Sequence, residues 1–272
     1  MVKILRMGNI GAGHIPITFG ILLSATLGVT YCLSVYNNDV DVWLPYISSS
    51  GDARPESCIF SFLLNISGVL CLLNLYLRYM LVAQLNRELD IFLKIVNRIA
   101  FTFGIIAGFS MLIVANFQQT AEWTIHIFAA VVCFTSAVIY MCIDSFVTMY
   151  MYPTYNNKRI ALIRIGIATA GVISLLLAII FGFAASIKFH SEFPDQDIPK
   201  PWSQKKYYTP GYNLHCISAL FEWLLALIIM IYVISFSRDF ESLHVKLTVE
   251  ALVNHLDHEF IWASSDDLTR SH

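Results

Sequence analysis

Long apolar stretches separated by short polar segments dominate the pattern of this chain. Because about 20 apolar residues cross the hydrocarbon of a bilayer, stretches of this length predict transmembrane helices. There are six of them, at Ile15–Tyr36, Cys58–Met80, Ile99–Phe117, Ala121–Ile143, Ile160–Ile187 and Leu214–Ser235. The pattern predicts an all-α, polytopic membrane protein with a six-transmembrane-helix bundle.

The polar segments set the predicted domain boundaries. Residues 1–238 form the predicted membrane domain, and residues 239–272 are polar enough to form a tail outside the membrane. Apolar residues recur in the first part of the tail at three- and four-residue intervals, which is typical of an amphipathic helix. They are Val245, Val249, Leu252 and Leu256.

Two connections between the spans are long enough to suggest their own structure. Residues 81–98 read as an amphipathic link, which we expect to be helical and to lie along the membrane surface. Residues 188–213 contain four prolines and several aromatic residues. We expect this second segment to be irregular and to be ordered by aromatic packing near the membrane interface.

Composition agrees with the pattern and adds orientation. Of 272 residues, 57% are hydrophobic and 13% are charged, whereas soluble proteins carry roughly 25% charged residues. The net charge of −2 gives no sign of nucleic-acid binding. Twelve of the 17 Lys and Arg residues flank one side of the predicted spans and five flank the other. Positive residues favour the cytosolic side, so both termini are predicted to be cytosolic.

This orientation places the first long loop, within WLPYISSSGDARPESCIFSFLLNISG at residues 43–68, on the lumenal or exterior side. Pro45 and Gly51 are expected to set turns there. Pro55 and Glu56 are expected to begin the second span, because proline suits a first helical turn and an acid suits the positive helix end.

The six cysteines lack the spacing of a metal site, and no metal or other cofactor is predicted. Cys58 and Cys216 differ from the others because each begins a span on the oxidising side. They are candidates for a disulfide, and two separate packed thiols are the alternative.

Four polar residues fall within or at the ends of spans on the predicted lumenal side. The rise of a helix places Glu222, His126 and Asn65 about 12, 8 and 10 Å below that edge, and Asn116 caps the third span. Such residues can lock helices together by hydrogen bonds, or they can form a site for a ligand, ion or proton. A hydrolytic centre is less favoured, since no hydrolase or Walker motif is present.

Glu222 is the strongest of these candidates for a functional site, because burying a charge in the membrane is costly. We expect Glu222 to face the bundle interior, with His126 or Asn65 as its partner. Near the cytosolic side, Asp144 is expected to reach the headgroups or to pair with Arg159 or Arg164. Gly104 and Gly108 permit close helix approach, within the bundle or between two chains.

Four segments together resemble one membrane protein family. They are PYISSSGDARPESCIFSFLLNISGVLCLLNLYLRY from the first loop into the second span, VANFQQT at 114–120, ALFEW containing Glu222 and Trp223, and SRDFESLHVK at 237–246. In this order the chain resembles the damage-regulated autophagy modulator (DRAM) family over nearly its whole length. The family often has Asp-Thr where this chain has Ser49 and Ser50, which leaves Asp52 and Glu56 as the loop acids.

The resemblance implies a lysosomal or late endosomal membrane protein that promotes autophagy and has been tied to cell death. We expect it to act without catalysis and without a cofactor, through contacts with membrane lipids or with autophagy or lysosomal membrane proteins. The oligomeric state is left open. One alternative is a GPI-anchor or lipid remodelling factor, or a membrane enzyme acting on lipid. A second is a small transporter or channel.

Overall fold

The computed structural model describes residues 11–87, 89–154, 157–199, 202, 209–241 and 243. Within these ranges the chain is helical and contains no strand. The helices are α1 (His14–Tyr36), α2 (Ile47–Ser50), α3 (Glu56–Asn86), α4 (Ile91–Asn116), α5 (Trp123–Tyr150), α6 (Lys158–Glu192), α7 (Tyr212–Ile234) and α8 (Ser237–Phe240).

The six long helices are the predicted spans. Each is long and apolar enough to cross a membrane, which confirms the all-α, six-helix prediction and makes this a multi-pass membrane protein. Each long helix extends past its predicted bounds at one or both ends, because a helix continues wherever its backbone hydrogen bonds and packing continue. The predicted amphipathic tail helix lies outside the described residues.

The long helices are arranged as a closed ring. Each of α3, α4, α5 and α6 contacts the next helix along the chain, and α1 contacts both α3 and α7. Short α2 contacts α1 and α7 at one end of the ring. We call this the first-loop end, and we call the end that carries α8 the opposite end. The ring leaves an interior that side chains only partly fill.

The prediction of a separate amphipathic link at residues 81–98 is wrong. Helix α3 runs to Asn86 and α4 begins at Ile91, so only residues 87–90 connect them. Arg87 adopts a left-handed conformation with φ 45° at the end of α3. Asp90 caps α4, accepting a hydrogen bond from Leu93 N at 3.0 Å. A left-handed residue and an N-cap are sufficient to end one helix and begin the next.

Small residues bring α3 and α4 together. A Cβ added at Gly108 would lie 2.4 Å from Leu72 Cδ2, and one added at Gly104 would lie 3.1 Å from Leu75 Cδ1. Both glycines therefore serve close packing inside one chain, the first of the two uses that the sequence allowed.

The described part of the 188–213 segment has the predicted aromatic packing. Trp202 is buried and its ring lies 6.0 Å from that of Phe189 and 4.5 Å from that of His215. Gly211 precedes α7 with φ 85°, and an added Cβ would meet Ala185 O at 2.5 Å. A side chain at Gly211 would thus be excluded both by conformation and by space.

Candidate functional site at the first-loop end

The first long loop is attached to α7 by three hydrogen bonds. Ile47 N donates to Glu222 Oε1 at 3.2 Å, and Trp223 Nε1 donates to Pro45 O at 2.8 Å. The Tyr46 hydroxyl donates to Ser218 Oγ at 2.8 Å. Burial raises the pKa of Tyr46 to about 12, so this hydroxyl stays protonated and remains a donor. Two of the segments that carried the family resemblance are therefore in direct contact.

A third of those segments, VANFQQT, contacts the same loop. Gln119 Oε1 accepts hydrogen bonds from Ser49 Oγ at 2.9 Å and from Ser48 Oγ at 3.3 Å. Thr120 N donates to Asp52 Oδ1 at 2.9 Å. Ser49, one of the two departures from the family pattern, thus takes part in this packing, and Asp52 orders the turn before α5.

The four polar residues predicted at this depth are divided between two places. Asn65 and Asn116 exchange two hydrogen bonds, at 3.0 and 2.9 Å, between α3 and α4. Glu222 and His126 instead line a cavity of about 490 Å³ inside the ring. His126 is buried, and its Nδ1 lies 2.6 Å from Phe117 O.

The expected pairing of Glu222 with His126 or Asn65 is not found among the described residues. The partner of Glu222 is the backbone N–H of Ile47. This N–H is free because Ile47 begins the short helix α2, whose first N–H groups have no helical acceptor. The sequence pattern showed a polar loop here, but it did not show which backbone group would reach α7.

The loop residues singled out in the sequence have separate roles. Pro45 supplies the carbonyl that accepts from Trp223. Gly51 ends α2 with an ordinary negative φ, and an added Cβ would lie 2.4 Å from the ring of Phe60. Gly51 therefore provides space rather than an unusual backbone conformation. Pro55 caps α3, and Glu56 is its first residue, as the sequence indicated.

Glu56 is fully buried and accepts a hydrogen bond from Asn37 Nδ2 through Oε1. Its Oε2 is buried and lacks a partner among the described residues. Burial, followed by the nearby Glu56 carboxylate, raises the pKa of Asp39 above its usual value. Two carboxyl groups therefore share the base of the first loop.

Cys58 and Cys216 are free thiols in the structure, so the candidate disulfide is not formed. Cys58 lies exposed near the start of α3, beside Arg54 and Ser61. Cys216 packs instead with the buried group of Ala185 and Tyr212 on the other side of the ring. The two thiols belong to different packing groups, which explains why they do not pair.

A second polar cluster, which we call the charge network, lies at the opposite end. Arg78 of α3 binds Asp144 of α5 at 2.9 Å and Asp239 of α8 at 2.9 Å. Arg164 of α6 binds the same Asp239 at 2.7 Å. Both guanidinium groups lie over the ring of Phe236, at 5.4 and 4.9 Å. Two positive and two negative groups thus join four helices at low exposure.

The charge network corrects one expectation and adds residues that sequence reasoning missed. Asp144 neither pairs with Arg159 or Arg164 nor reaches the headgroups, because Arg78 lies closer within the ring. The count of flanking charges includes Arg78 and Arg164, and the predicted tail includes Asp239. The signal that could have found the two arginines is that they lie inside the predicted spans Cys58–Met80 and Ile160–Ile187.

The chemistry of metal binding has no support in the described residues, where no group of three His, Cys, Asp or Glu side chains could hold a metal ion. The residues that can bind a ligand are those lining the cavity, where hydrogen-bonding groups gather at one end of an apolar space.

Comparisons with known proteins agree with this picture. Residues 11–243 match the family described as the Frag1/DRAM/Sfk1/Cwh43P N-terminal domain. The chain is 32% identical to human DNA damage-regulated autophagy modulator protein 2, covering 89% of this chain and 88% of that protein. It is 29% identical to the Bos taurus protein of that name, over 95% and 98%, respectively. It is 28% identical to protein 1 of the same name from Xenopus laevis, over 88% and 95%. No solved structure matches the chain.

The match covers the whole compact unit from Gly11 to Leu243, which contains both the docked loop and the charge network. The chain therefore belongs to the Frag1/DRAM family of multi-pass membrane proteins.

Proposed function

We propose that this protein modulates autophagy from the membrane of lysosomes or late endosomes, without catalysis, through contacts with proteins or lipids. The observation that carries the proposal is the similarity to relatives named as DNA damage-regulated autophagy modulators, which covers 89% of this chain and 88% of the human protein 2. The names describe modulators rather than enzymes. The docked first loop also supports the proposal, because a loop held by α7 offers a surface of fixed shape.

We also infer that both termini face the cytosol, which places the first-loop end in the lumen. The uneven distribution of the 17 Lys and Arg residues supports this orientation. The charge network would then lie on the cytosolic half of the bundle.

The test is to measure autophagic flux in cells that lack the protein and to restore it with a tagged chain. We expect the tag to coincide with lysosomal or late endosomal markers and the flux to recover. A matched control is the same chain carrying an endoplasmic reticulum retention signal, which should fold but should not restore flux. Normal flux after loss of the protein would contradict the function, and full rescue by the retained chain would contradict the location.

A second candidate function is lipid remodelling, either as a factor or as an enzyme. The observation that favours it is that Glu222 and His126 both line one apolar cavity in a membrane helix bundle. Lipid analysis of the same cells separates the candidates. A change in lipid species that Glu222→Gln fails to reverse, while flux recovers, would support remodelling as an independent activity.

A further inference from the structure

The cavity inside the ring has the size and lining of a small-molecule site. Its volume of about 490 Å³ falls in the lower half of the roughly 300–1,000 Å³ usual for ligand pockets. Most of its wall is apolar, with Leu27, Met111, Phe134, Leu175 and Ile229 contributed by five different long helices. The ligand must therefore carry a substantial apolar part.

One end of the cavity offers two hydrogen-bond acceptors, on Glu222 and on His126. Glu222 uses Oε1 for the Ile47 N–H, and its Oε2 has no hydrogen-bond partner in the described part of the chain. His126 Nδ1 faces a carbonyl oxygen, so Nδ1 carries the proton and Nε2 of the neutral ring is an acceptor. A ligand head that fits these groups must supply donors.

The acidic side chain at this end, Glu222, is not paired with a Lys or Arg among the described residues. Among the described residues that line the cavity there is no Lys or Arg, while Glu222 is present. A carboxylate in a medium of low dielectric is costly unless it is paired, and a single amide N–H does not neutralise it. A phosphate group on the ligand would lie beside the Glu222 carboxylate, and no Lys or Arg among the described lining residues could bind it. The complementary head is therefore cationic and lacks a phosphate.

The exposure of some lining residues indicates an opening between α5 and α6. Lining residues of α5 and α6 keep a large exposed surface, namely Ile127 at 40%, Val131 at 49% and Phe183 at 68%. Nearer the opposite end the same helices close together, where a Cβ at Gly171 would lie 2.6 Å from Met141. A ligand would thus enter between α5 and α6 from the apolar part of the bilayer.

We propose that this cavity binds a single-chain membrane amphiphile whose head carries an amine and a hydroxyl, the chemistry of a sphingoid base. The ammonium group binds Glu222, the hydroxyl donates to His126 Nε2, and the alkyl chain lies along the apolar wall. This ligand class specifies the lipid contact in the proposed function and rests on it for its biological meaning. Binding itself is measured on purified protein, so it can succeed or fail independently of autophagy.

The test is photo-crosslinking of the full chain, purified in detergent, with a photoactivatable sphingoid base. We expect saturable labelling of peptides from α5, α6 and α7 and competition by the unlabelled base. Glu222→Gln should weaken competition by the unlabelled base about tenfold or more, because it removes the carboxylate that binds the ammonium group of the ligand. Glu192→Gln is the matched control, since Glu192 is exposed at the end of α6 outside the cavity.

A second pair of variants tests the entrance. Val131→Trp fills the opening and should abolish labelling, whereas Phe128→Trp makes a comparable change on the exposed face of α5 and should not. Folding of all variants is checked by thermal unfolding. Equal competition by a neutral sterol or ceramide, or labelling that is insensitive to Glu222→Gln in folded protein, would overturn the assignment. So would the absence of saturable labelling.

Discussion

At the scale of residues, the charge network shows how ionic side chains can be accommodated in a bundle that spans a membrane. Arg78 and Asp144 have side-chain exposures of 3% and 2%, and each also binds a second partner. Asp239 joins Arg78 to Arg164. Because each charge faces an opposite one, the network is neutral as a whole, and its free-energy cost is far below that of isolated ions.

Breaking this network from one side should destabilise the protein strongly. Asp144→Asn leaves the buried Arg78 with only part of its compensation, and removing one partner of a buried pair typically costs roughly 3–5 kcal/mol. We expect a clear fall in the midpoint of thermal unfolding of the purified protein. Asp195→Asn, at an exposed loop position, is the matched control. If the two variants unfold at the same temperature, the network does not stabilise the fold.

The carboxyl group of Asp39 gives a dependence on pH at the first loop. Its pKa is raised by burial and by Glu56, so the folded state binds this proton more tightly than the unfolded state. The stability linked to protonated Asp39 is therefore fully present at a pH below the ordinary pKa of an aspartate. It is lost as the pH rises through the raised pKa of the folded state.

Asp39→Asn should remove the loss of folding stability that accompanies ionisation of Asp39. We expect the variant to unfold on the order of 1–3 °C higher than the parent at neutral pH, the size typical of a partly exposed charge interaction. The difference should shrink as the pH falls toward the ordinary pKa of an aspartate, because the parent carboxyl then binds its proton in both states. Thermal unfolding of the parent and the variant from pH 3.5 to 7.5 tests the expectations at neutral and at low pH. Asp197→Asn is the control at an exposed position. A constant difference at all pH values would show that the effect is not electrostatic.

At the scale of elements, the contact between α3 and α4 depends on a missing side chain. Gly108→Leu would force these helices apart, because even a Cβ there lies 2.4 Å from Leu72. Overpacking of this kind costs about 1–3 kcal/mol. Combining it with Leu72→Ala should recover part of the loss, since space is returned at the same point.

The control for this prediction lies on α6. Gly166 has no atom within 4 Å of an added Cβ, so Gly166→Leu changes helix composition without a clash. Thermal unfolding should therefore separate the two glycine variants. Equal effects would mean that glycine in these helices matters for backbone reasons rather than for packing.

At the scale of the whole molecule, the ring has two different ends, and the membrane orientation decides what each end meets. The first-loop end holds the docked loop and the polar part of the cavity, and the opposite end holds the charge network. We propose that the former faces the lumen, from the distribution of basic residues along the chain.

Protease treatment of intact lysosomes tests that orientation. A tag at the C-terminus should be digested without detergent, because both termini are predicted on the cytosolic side. A tag inserted at exposed Arg54, in the first loop, should be protected until the membrane is dissolved. The reverse pattern would contradict the orientation while leaving the fold unchanged.

The amino-acid sequence alone is sufficient to predict the transmembrane helices and the family. A run of about 20 apolar residues must form its hydrogen bonds internally in lipid, so hydropathy alone predicts the long helices. The start of α3 at Pro55 and Glu56 was likewise visible, since helix termini are specified by local residues. The family resemblance follows from four segments in order, which here lie in the first loop and α3, at the end of α4, in α7, and at α8.

The contacts between polar groups, in contrast, depend on the packed fold. Arg78 and Asp144 are 66 residues apart, and Ile47 and Glu222 are 175 apart. Helical rise predicted the depth of Glu222 in the membrane. It did not predict the direction in which its side chain or the side chains of its neighbours point. The closure of the ring brought α7 back to α1 and placed a backbone N–H opposite a carboxylate. No local pattern encodes that contact, because it depends on how all six long helices pack together.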